Sequence, residues 1–328
     1  MPTANEVRTA LASASRAPSV HNTQPWRWRV ARHSVHLYLD PDRALGALDP
    51  TGRESVISCG AALHHARIAF GAEGWRTTVH RVPNPGTPDH VAAIEFGRMD
   101  GPDPEAVELV AAAQRRRTDR RPFLPDPVPG ELVEGFAAAA VAEGCAFEPI
   151  TDDRHRRDLM LAIEEAGDRQ RRSPDYRAEL AEWAGRHVPG AEGVPAGSIP
   201  QRHDRGMPER DFSLAAEGEL AVPVLDDGAL LAVLSTAGDD GGSWLVAGEA
   251  LSAVLLLATR AGLATCPLSQ IAEVGLSREH VRDHVLASPR YPQLALRLGW
   301  PVTAELPGPP TPRRPIDECV APLDDSWS

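Results

Sequence analysis

Lysine is absent from this 328-residue chain, and all 34 of its basic side chains other than histidine are arginine. That marks codon usage rather than function. Cysteine is scarce as well. Cys59, Cys145, Cys266 and Cys319 stand far apart and form no Cys-x-x-Cys pair, which suits buried or incidental thiols in a reducing cytosol. Excess positive charge is missing: the net charge of -12 excludes non-specific nucleic-acid binding, which needs a basic surface. The first 19 residues lack a basic stretch followed by a long apolar core, so no signal peptide is read there. No apolar run reaches the length of a membrane span. The chain is therefore expected to be cytoplasmic, with neither nucleic acid nor membrane as a partner.

Several chemical signatures are missing too. No Gly-x-Gly-x-x-Gly follows a strand pattern, and no Gly-x-Ser-x-Gly occurs. His280 and His284 are four apart, but the intervening residues lack the glutamate of a zinc protease and no third ligand is evident. They read as a surface pair, and no metal is expected. His64 and His65 are adjacent and so point to different faces of a helix.

What is present is ordinary in bulk: 42% hydrophobic and 24% charged residues, with enough length for one large domain or two. Ala4 to Ala17 has the period of an amphipathic helix, stopped by Pro18. Trp26–Val30 and Val35–Leu39 alternate as a hairpin. Glu54 to Gly74 reads as a long buried helix, Trp75–Val82 and Val91–Phe96 as strands, and Pro104–Arg117 as a helix. The pattern then restarts. Pro129–Gly144, Arg154–Arg172, Pro174–Arg186, Ser243–Gly262 and Ser277–Leu286 read as helices, the last with Ser277 as its N-cap. Cys145–Ile150, Leu230–Ser235 and Leu294–Trp300 read as strands. Residues 187–227 show no period; so long a segment is either a lid with a function or a surface insertion. His203-Asp204 within it is a surface turn or a gate.

The restart has a fixed spacing. Gly60-x-Ala62-Leu63 and Gly248-x-Ala250-Leu251 are 188 residues apart, as are Gly74 and Gly262 at the helix ends. Small residues early in a buried helix let a second backbone approach. The two halves differ in what they keep. Ala17-Pro18-Ser19-Val20-His21-Asn22-Thr23-Gln24-Pro25-Trp26 has no arginine cluster before it. Arg115-Arg116-Arg117-Thr118-Asp119-Arg120-Arg121 has no such loop after it. Packed as a pseudo-dimer, the complementary pieces would meet once.

The arginine cluster could pair bidentately with a phosphate or form a solvated basic face. Arg313 and Arg314 sit between prolines and offer two more guanidiniums. The Pro18–Trp26 segment could hydrogen-bond the edge of a heteroaromatic ring, or simply turn the chain into the hairpin.

Pro-Ser-x-x-Asn-x-Gln-Pro-Trp resembles the flavin-ring loop of the FMN-dependent nitroreductase superfamily. Arg116-Arg117-Thr118-Asp119-Arg120 resembles that family's phosphate motif, with Thr118 in place of serine and Pro122 as an extra residue. Gly262-Leu263-Ala264-Thr265 is similar to its turn after the central helix, and Leu296–Trp300 to its last core strand. The whole looks like the two-repeat, single-chain Acg-type branch. This resemblance implies an α+β, nitroreductase-like fold: two fused repeats as a pseudo-dimer around long central helices, with antiparallel-rich mixed sheets. The first, degenerate repeat would span 1–112 and the second 113–328, with 187–227 inserted as a lid, all in one intertwined unit.

By the same resemblance, Arg116, Arg117, Thr118, Arg120, Arg313 and Arg314 would hold the phosphate of FMN. Pro18, Ser19, Val20 and Asn22 would contact the isoalloxazine edge, and Pro267, Leu268 and Ser269 would lie against the ring. Ser269 stands where many members carry glutamate. No side chain need act as a nucleophile, because the flavin carries the chemistry. The implied activity is hydride transfer from NADH or NADPH through FMN to a small-molecule acceptor, a nitroaromatic or quinone. The alternative is a flavin-holding protein whose lid bars turnover. With the usual dimer interface internal, a monomer with one FMN is expected.

Overall fold

The computed structural model describes residues 1–186, 192–195, 227–286, 288–307 and 310–323. Most of the expected insertion, including His203-Asp204, lies outside the described residues.

Helix α1 (Ala4–Ala14) begins at a capping box: the Thr3 hydroxyl accepts from the Glu6 N–H, and the Glu6 carboxylate accepts from the Thr3 N–H. It stops short of the predicted Ala17, since Pro18 disfavours helical backbone at the residue before it. Strands β1 (Trp26–Val30) and β2 (Ser34–Leu39) form the predicted antiparallel hairpin. Helix α2 (Arg53–Ala72) crosses the interior, and β3 (Trp75–Arg81) and β4 (His90–Arg98) follow it. Helix α3 (Pro104–Arg115) leads into the arginine segment.

The second half continues with α4 (Gly130–Ala142), β5 (Ala146–Ile150), α5 (Asp153–Arg172) and α6 (Pro174–Trp183). Two short parallel strands come next, β6 (Ala184–Arg186) and β7 (Val194–Pro195). Then come β8 (Leu230–Thr236), α7 (Gly241–Arg260), β9 (Ala264–Leu268), α8 (Gln270–Glu273), α9 (Gly275–His284) and β10 (Tyr291–Gly299). A one-turn helix α10 (Ile316–Cys319) and strand β11 (Val320–Pro322) close the described chain.

Besides the two-stranded β6-β7 pair, two larger sheets form, ordered β11-β1-β2-β4-β3 and β5-β8-β10-β9. The second is antiparallel throughout. Its central strands explain the unbroken apolar run at Leu230–Ser235. Ala232 and Leu234 pack toward α4 and α7, while Leu231 and Val233 pack toward α5 and α9. The first sheet packs Trp26, Trp28, Val30, Val35 and Leu37 beneath α1 and α2. Its one parallel pairing joins β1 to β11, so the end of the second half completes the sheet of the first.

The halves meet at α2 and α7. A Cβ on Gly60 would lie 2.1 Å from the Leu245 carbonyl oxygen, and one on Gly248 would lie 1.9 Å from that of Ile57. Ile57 and Leu245 carry the same 188-residue offset as the glycines, so the contact is its own image under exchange of the halves. His64 and Ser252 share the offset and hydrogen-bond across the crossing at 2.8 Å. The chain is thus two fused repeats packed as a pseudo-dimer around two central helices. Off the axis, the fully buried Glu249 accepts from Arg67 at 2.8 Å and from Arg81 at 2.6 Å. This ion-pair cluster has no counterpart at the corresponding first-repeat position, Ala61.

Three expectations need correction. Ser277 is not an N-cap: α9 starts at Gly275, and Ser277 is buried inside it. The helix from Pro174 ends at Trp183, where the chain turns extended. Helix α7 is, by length and composition, able to cross a membrane, contrary to the reading that no apolar run is long enough. It is instead mostly buried against α2 and α4. The four cysteines are buried and free, as expected.

Candidate functional site

The arginine segment leaves α3 in extended form and is pinned to β9. Thr118 forms a parallel bridge with Thr265, and the Asp119 N–H donates to the Thr265 carbonyl at 2.9 Å. Extended backbone sends alternate side chains to opposite sides. Thr118 and Arg120 face inward, whereas Asp119 and Arg121 face outward and pair with each other at 2.7 Å.

Opposite stands the loop after α1. His21, Asn22 and Gln24 all have left-handed φ, at 46°, 56° and 52°. Such backbone costs about 1–3 kcal/mol per residue when a side chain is present, asparagine least, and must be held by its surroundings. Here it is held closely. The Val20 N–H donates to Ser58 Oγ at 3.0 Å, and Ser58 Oγ donates to the Glu54 carbonyl at 2.6 Å. The Gln24 N–H donates to Ser19 Oγ at 3.0 Å. The Arg314 N–H donates to Gln24 Oε1 at 2.8 Å, and its guanidinium reaches the carbonyls of Gln24 and Trp26 and the Asp40 carboxylate.

Between loop and segment lie two adjoining cavities. The first, about 90 Å³, is lined by Arg16, Ser19, Asn22, Arg116, Arg117, Thr118, Arg120 and Arg313, among others. The second, about 130 Å³, shares Pro18, Ser19, Thr118 and Arg120 with it and adds Val20, Glu54, Ile57, Ser58, Pro267, Leu268, Ser269 and Gln270. One end is cationic and the other is mostly apolar, with a few small hydroxyls.

The cationic end is out of charge balance. Among the described residues, no carboxylate lies within ion-pair distance of Arg16, Arg116, Arg117 or Arg313. Arg16 Nε, Arg116 Nε and Nη1, Arg117 Nε and Arg313 Nε are buried without a hydrogen-bond partner. Burial, with Arg117 and Arg16 nearby, lowers the Arg116 guanidinium to about 10. Burial, with Arg116, Arg16 and Arg117 nearby, lowers Arg313 to about 9. Arg313 ties the far end of the chain to the loop, donating to Asn22 Oδ1 at 3.0 Å and to the Arg16 carbonyl at 3.2 Å. Buried cations are stable only when paired or bound to an anion. The arrangement is suited to a small, strongly charged anion with a planar apolar body attached.

At the apolar end a chain of polar groups backs the wall. Ser269 Oγ donates to Glu273 Oε1 at 2.6 Å, Gln170 Nε2 donates to Glu273 Oε2 at 2.6 Å, and Gln270 Nε2 donates to Gln170 Oε1 at 2.8 Å. The carboxylate missing at position 269 is thus supplied one turn later, behind the serine.

Of the residues singled out in the sequence, Pro18, Ser19, Val20, Arg116, Arg117, Thr118, Arg120, Pro267, Leu268, Ser269 and Arg313 line these cavities. Asn22 lines only the cationic end, and its amide already donates to the carbonyls of Gly193 at 3.1 Å and Pro312 at 3.2 Å. Arg314 lines neither cavity; it fastens the strained loop. Sequence reasoning missed Arg16, Glu54 and Ser58. Arg16 lies one residue before the loop and was legible as a further cation. Glu54 and Ser58 come into place only through the packing of α2. Val194, from the described part of the 187–227 segment, lines both cavities.

A family model described as the nitroreductase family matches residues 113–300. The chain is 42% identical over 331 residues to the Mycobacterium tuberculosis H37Rv protein Rv3131, named as an NAD(P)H nitroreductase, covering 97% of this chain and 92% of that one. It is 40% identical over 321 residues to that organism's acg, likewise named, covering 97% and 96%. Among solved structures, the FMN and NADPH-dependent nitroreductase NfnB from a Sphingopyxis strain aligns at 19% identity over 65% of this chain and 97% of that one, with a TM-score of 0.43.

Proposed function

Because the chain belongs to the nitroreductase family, we propose that it binds one FMN across the two cavities and works as an NAD(P)H-dependent oxidoreductase. The carrying observation is the cluster of the buried Arg116 with the half-buried Arg16, Arg117 and Arg313, mutually repelling and, among the described residues, without a carboxylate within ion-pair distance. A phosphate monoester brings about -1.5 to -2 charges at pH 7 and three acceptor oxygens, which fits the guanidinium nitrogens left without a partner, Arg116 Nε and Nη1 foremost. FMN, when bound, supplies the two-electron chemistry that links a reduced nicotinamide to a small acceptor such as a nitroaromatic or quinone.

The protein's own residues bind, orient and shield. Arg116 and Arg313 of the second repeat hold the anion together with Arg16 and the 18–26 loop of the first, so the site exists only where the halves meet. Pro18, Val20, Pro267 and Leu268 present apolar surface to a planar ring and keep water from it. Ser19 and Ser269 offer hydroxyls at its edge, the latter oriented by Glu273. On this reading the first repeat spans 1–112 and the second 113–328. The protein is a cytoplasmic monomer, its dimer-like interface already satisfied within one chain.

A second reading, a flavin-holding protein with little turnover, draws support from Val194, which walls both cavities. Anaerobic mixing of the yellow protein with NADPH divides the two: rapid bleaching of the flavin band supports the oxidoreductase, and a stable yellow colour supports the holder.

A further inference from the structure

The extended arginine segment has two faces, and only the inner one belongs to the site above. On its outer face lies a groove of about 840 Å³, several times larger than either inner cavity. It is bounded by the turn between α7 and β9 and by the stretch from Trp300 to Pro307. Three kinds of group line it. Trp300, Leu263 and Leu306 form apolar walls, Leu306 being 54% exposed. Arg115, Arg116 and Arg117 stand together at the end of α3, none with a carboxylate within 4 Å among the described residues. Asp126 and Glu305 are exposed carboxylates, whereas Asp119 and Arg121 neutralise each other.

Each class of group narrows the ligand. A free phosphate has no use for an indole and two leucines. A fatty acid or aromatic acid has no use for two carboxylates beside it. A phosphorylated nucleoside uses all three: its base packs on apolar and aromatic surface, its phosphate meets guanidinium forks, and its hydroxyl and amino groups donate to carboxylates. The groove also adjoins the inner site, sharing Arg116, Arg117 and Pro307 with the cationic cavity.

We infer that the outer groove is a nucleotide subsite that takes the adenosine-phosphate half of the reduced dinucleotide, and that its arginines favour NADPH over NADH. Assigning the nucleotide to NADPH rests on the proposed function; nucleotide binding itself does not. The probe is 2′,5′-ADP, titrated into the purified full-length protein by calorimetry and by tryptophan fluorescence. The expected result is saturable 1:1 binding, with 5′-AMP about tenfold weaker for want of the second phosphate. Arg115→Ala should weaken 2′,5′-ADP about five- to tenfold, and Leu306→Asp should weaken it further. Both residues are exposed, so both variants should fold and retain FMN. In turnover, Arg115→Ala should raise KM for NADPH more than for NADH and leave kcat unchanged. No 2′,5′-ADP binding, or binding indifferent to both substitutions, overturns the subsite. Because the titration can be run on yellow or colourless protein, a failure to hold FMN would be seen separately.

Discussion

Replacing Arg116 with methionine should make the empty protein more stable and the loaded one weaker. Arg116 is 6% exposed, and two of its guanidinium nitrogens have no partner. Its pKa falls from the ordinary guanidinium range to about 10, for burial first and for Arg117 and Arg16 second. The sign is that of a cation penalised by folding: between pH 7 and 9 both folded and unfolded forms are charged, so the folded form carries the full penalty. Two to three pKa units correspond to roughly 3–4 kcal/mol. Relaxation and water entry reduce this, and about 1–3 kcal/mol is a fair expectation for the gain from an apolar isostere. The same change removes a charge-assisted contact to phosphate, about 1.5–3 kcal/mol, and so should weaken FMN by roughly 10- to 150-fold. Urea unfolding of the colourless protein and a fluorescence titration with FMN read the two halves of the prediction. A less stable empty protein with unchanged FMN affinity would make Arg116 a structural residue and refute the reasoning.

Two further outcomes follow from the central crossing. Gly248→Ala should destabilise by more than about 2 kcal/mol, because the new Cβ meets the Ile57 carbonyl at 1.9 Å. Helix propensity alone predicts a gain of up to about 1 kcal/mol, so the sign of the urea-midpoint shift decides. His64 is lowered to about 4, mainly by burial. Its folded pKa is below its unfolded one, so it costs nothing above pH 6.5 and destabilises as pH falls from there toward 4. Its share should reach about 2 kcal/mol by pH 5. His64→Gln should flatten the unfolding free energy between pH 7 and 5 relative to the parent; an equal slope in both would remove the assignment.

Much of this was readable from the chain because it was local. Pro18 and the Thr3 capping box bound α1, and the alternation in 26–39 made the hairpin. The repeat was readable from Gly60 and Gly248 because their lack of a side chain is itself the contact. The inner site was readable in outline, since Ser19 and Arg116 carry their chemistry in their own side chains. What escaped was non-local. Strand β11 has three residues and pairs with β1 nearly 300 positions away, in a tail that reads as proline-rich coil. Arg313 and Arg314 are indistinguishable by sequence, yet one lines the cationic cavity and the other reaches Asp40. Ser277 carried the residue type of a cap, but the packing of α9 against α5 started the helix two residues earlier.

The most direct test of the central claim is a parallel titration of the colourless protein with FMN and with riboflavin, which differ only by the phosphate. One equivalent of FMN should bind, at least about a hundredfold more tightly than riboflavin, as two or more charge-assisted contacts require. Equal affinity for the two compounds, or two equivalents of FMN per chain, would contradict a single site built where the repeats meet.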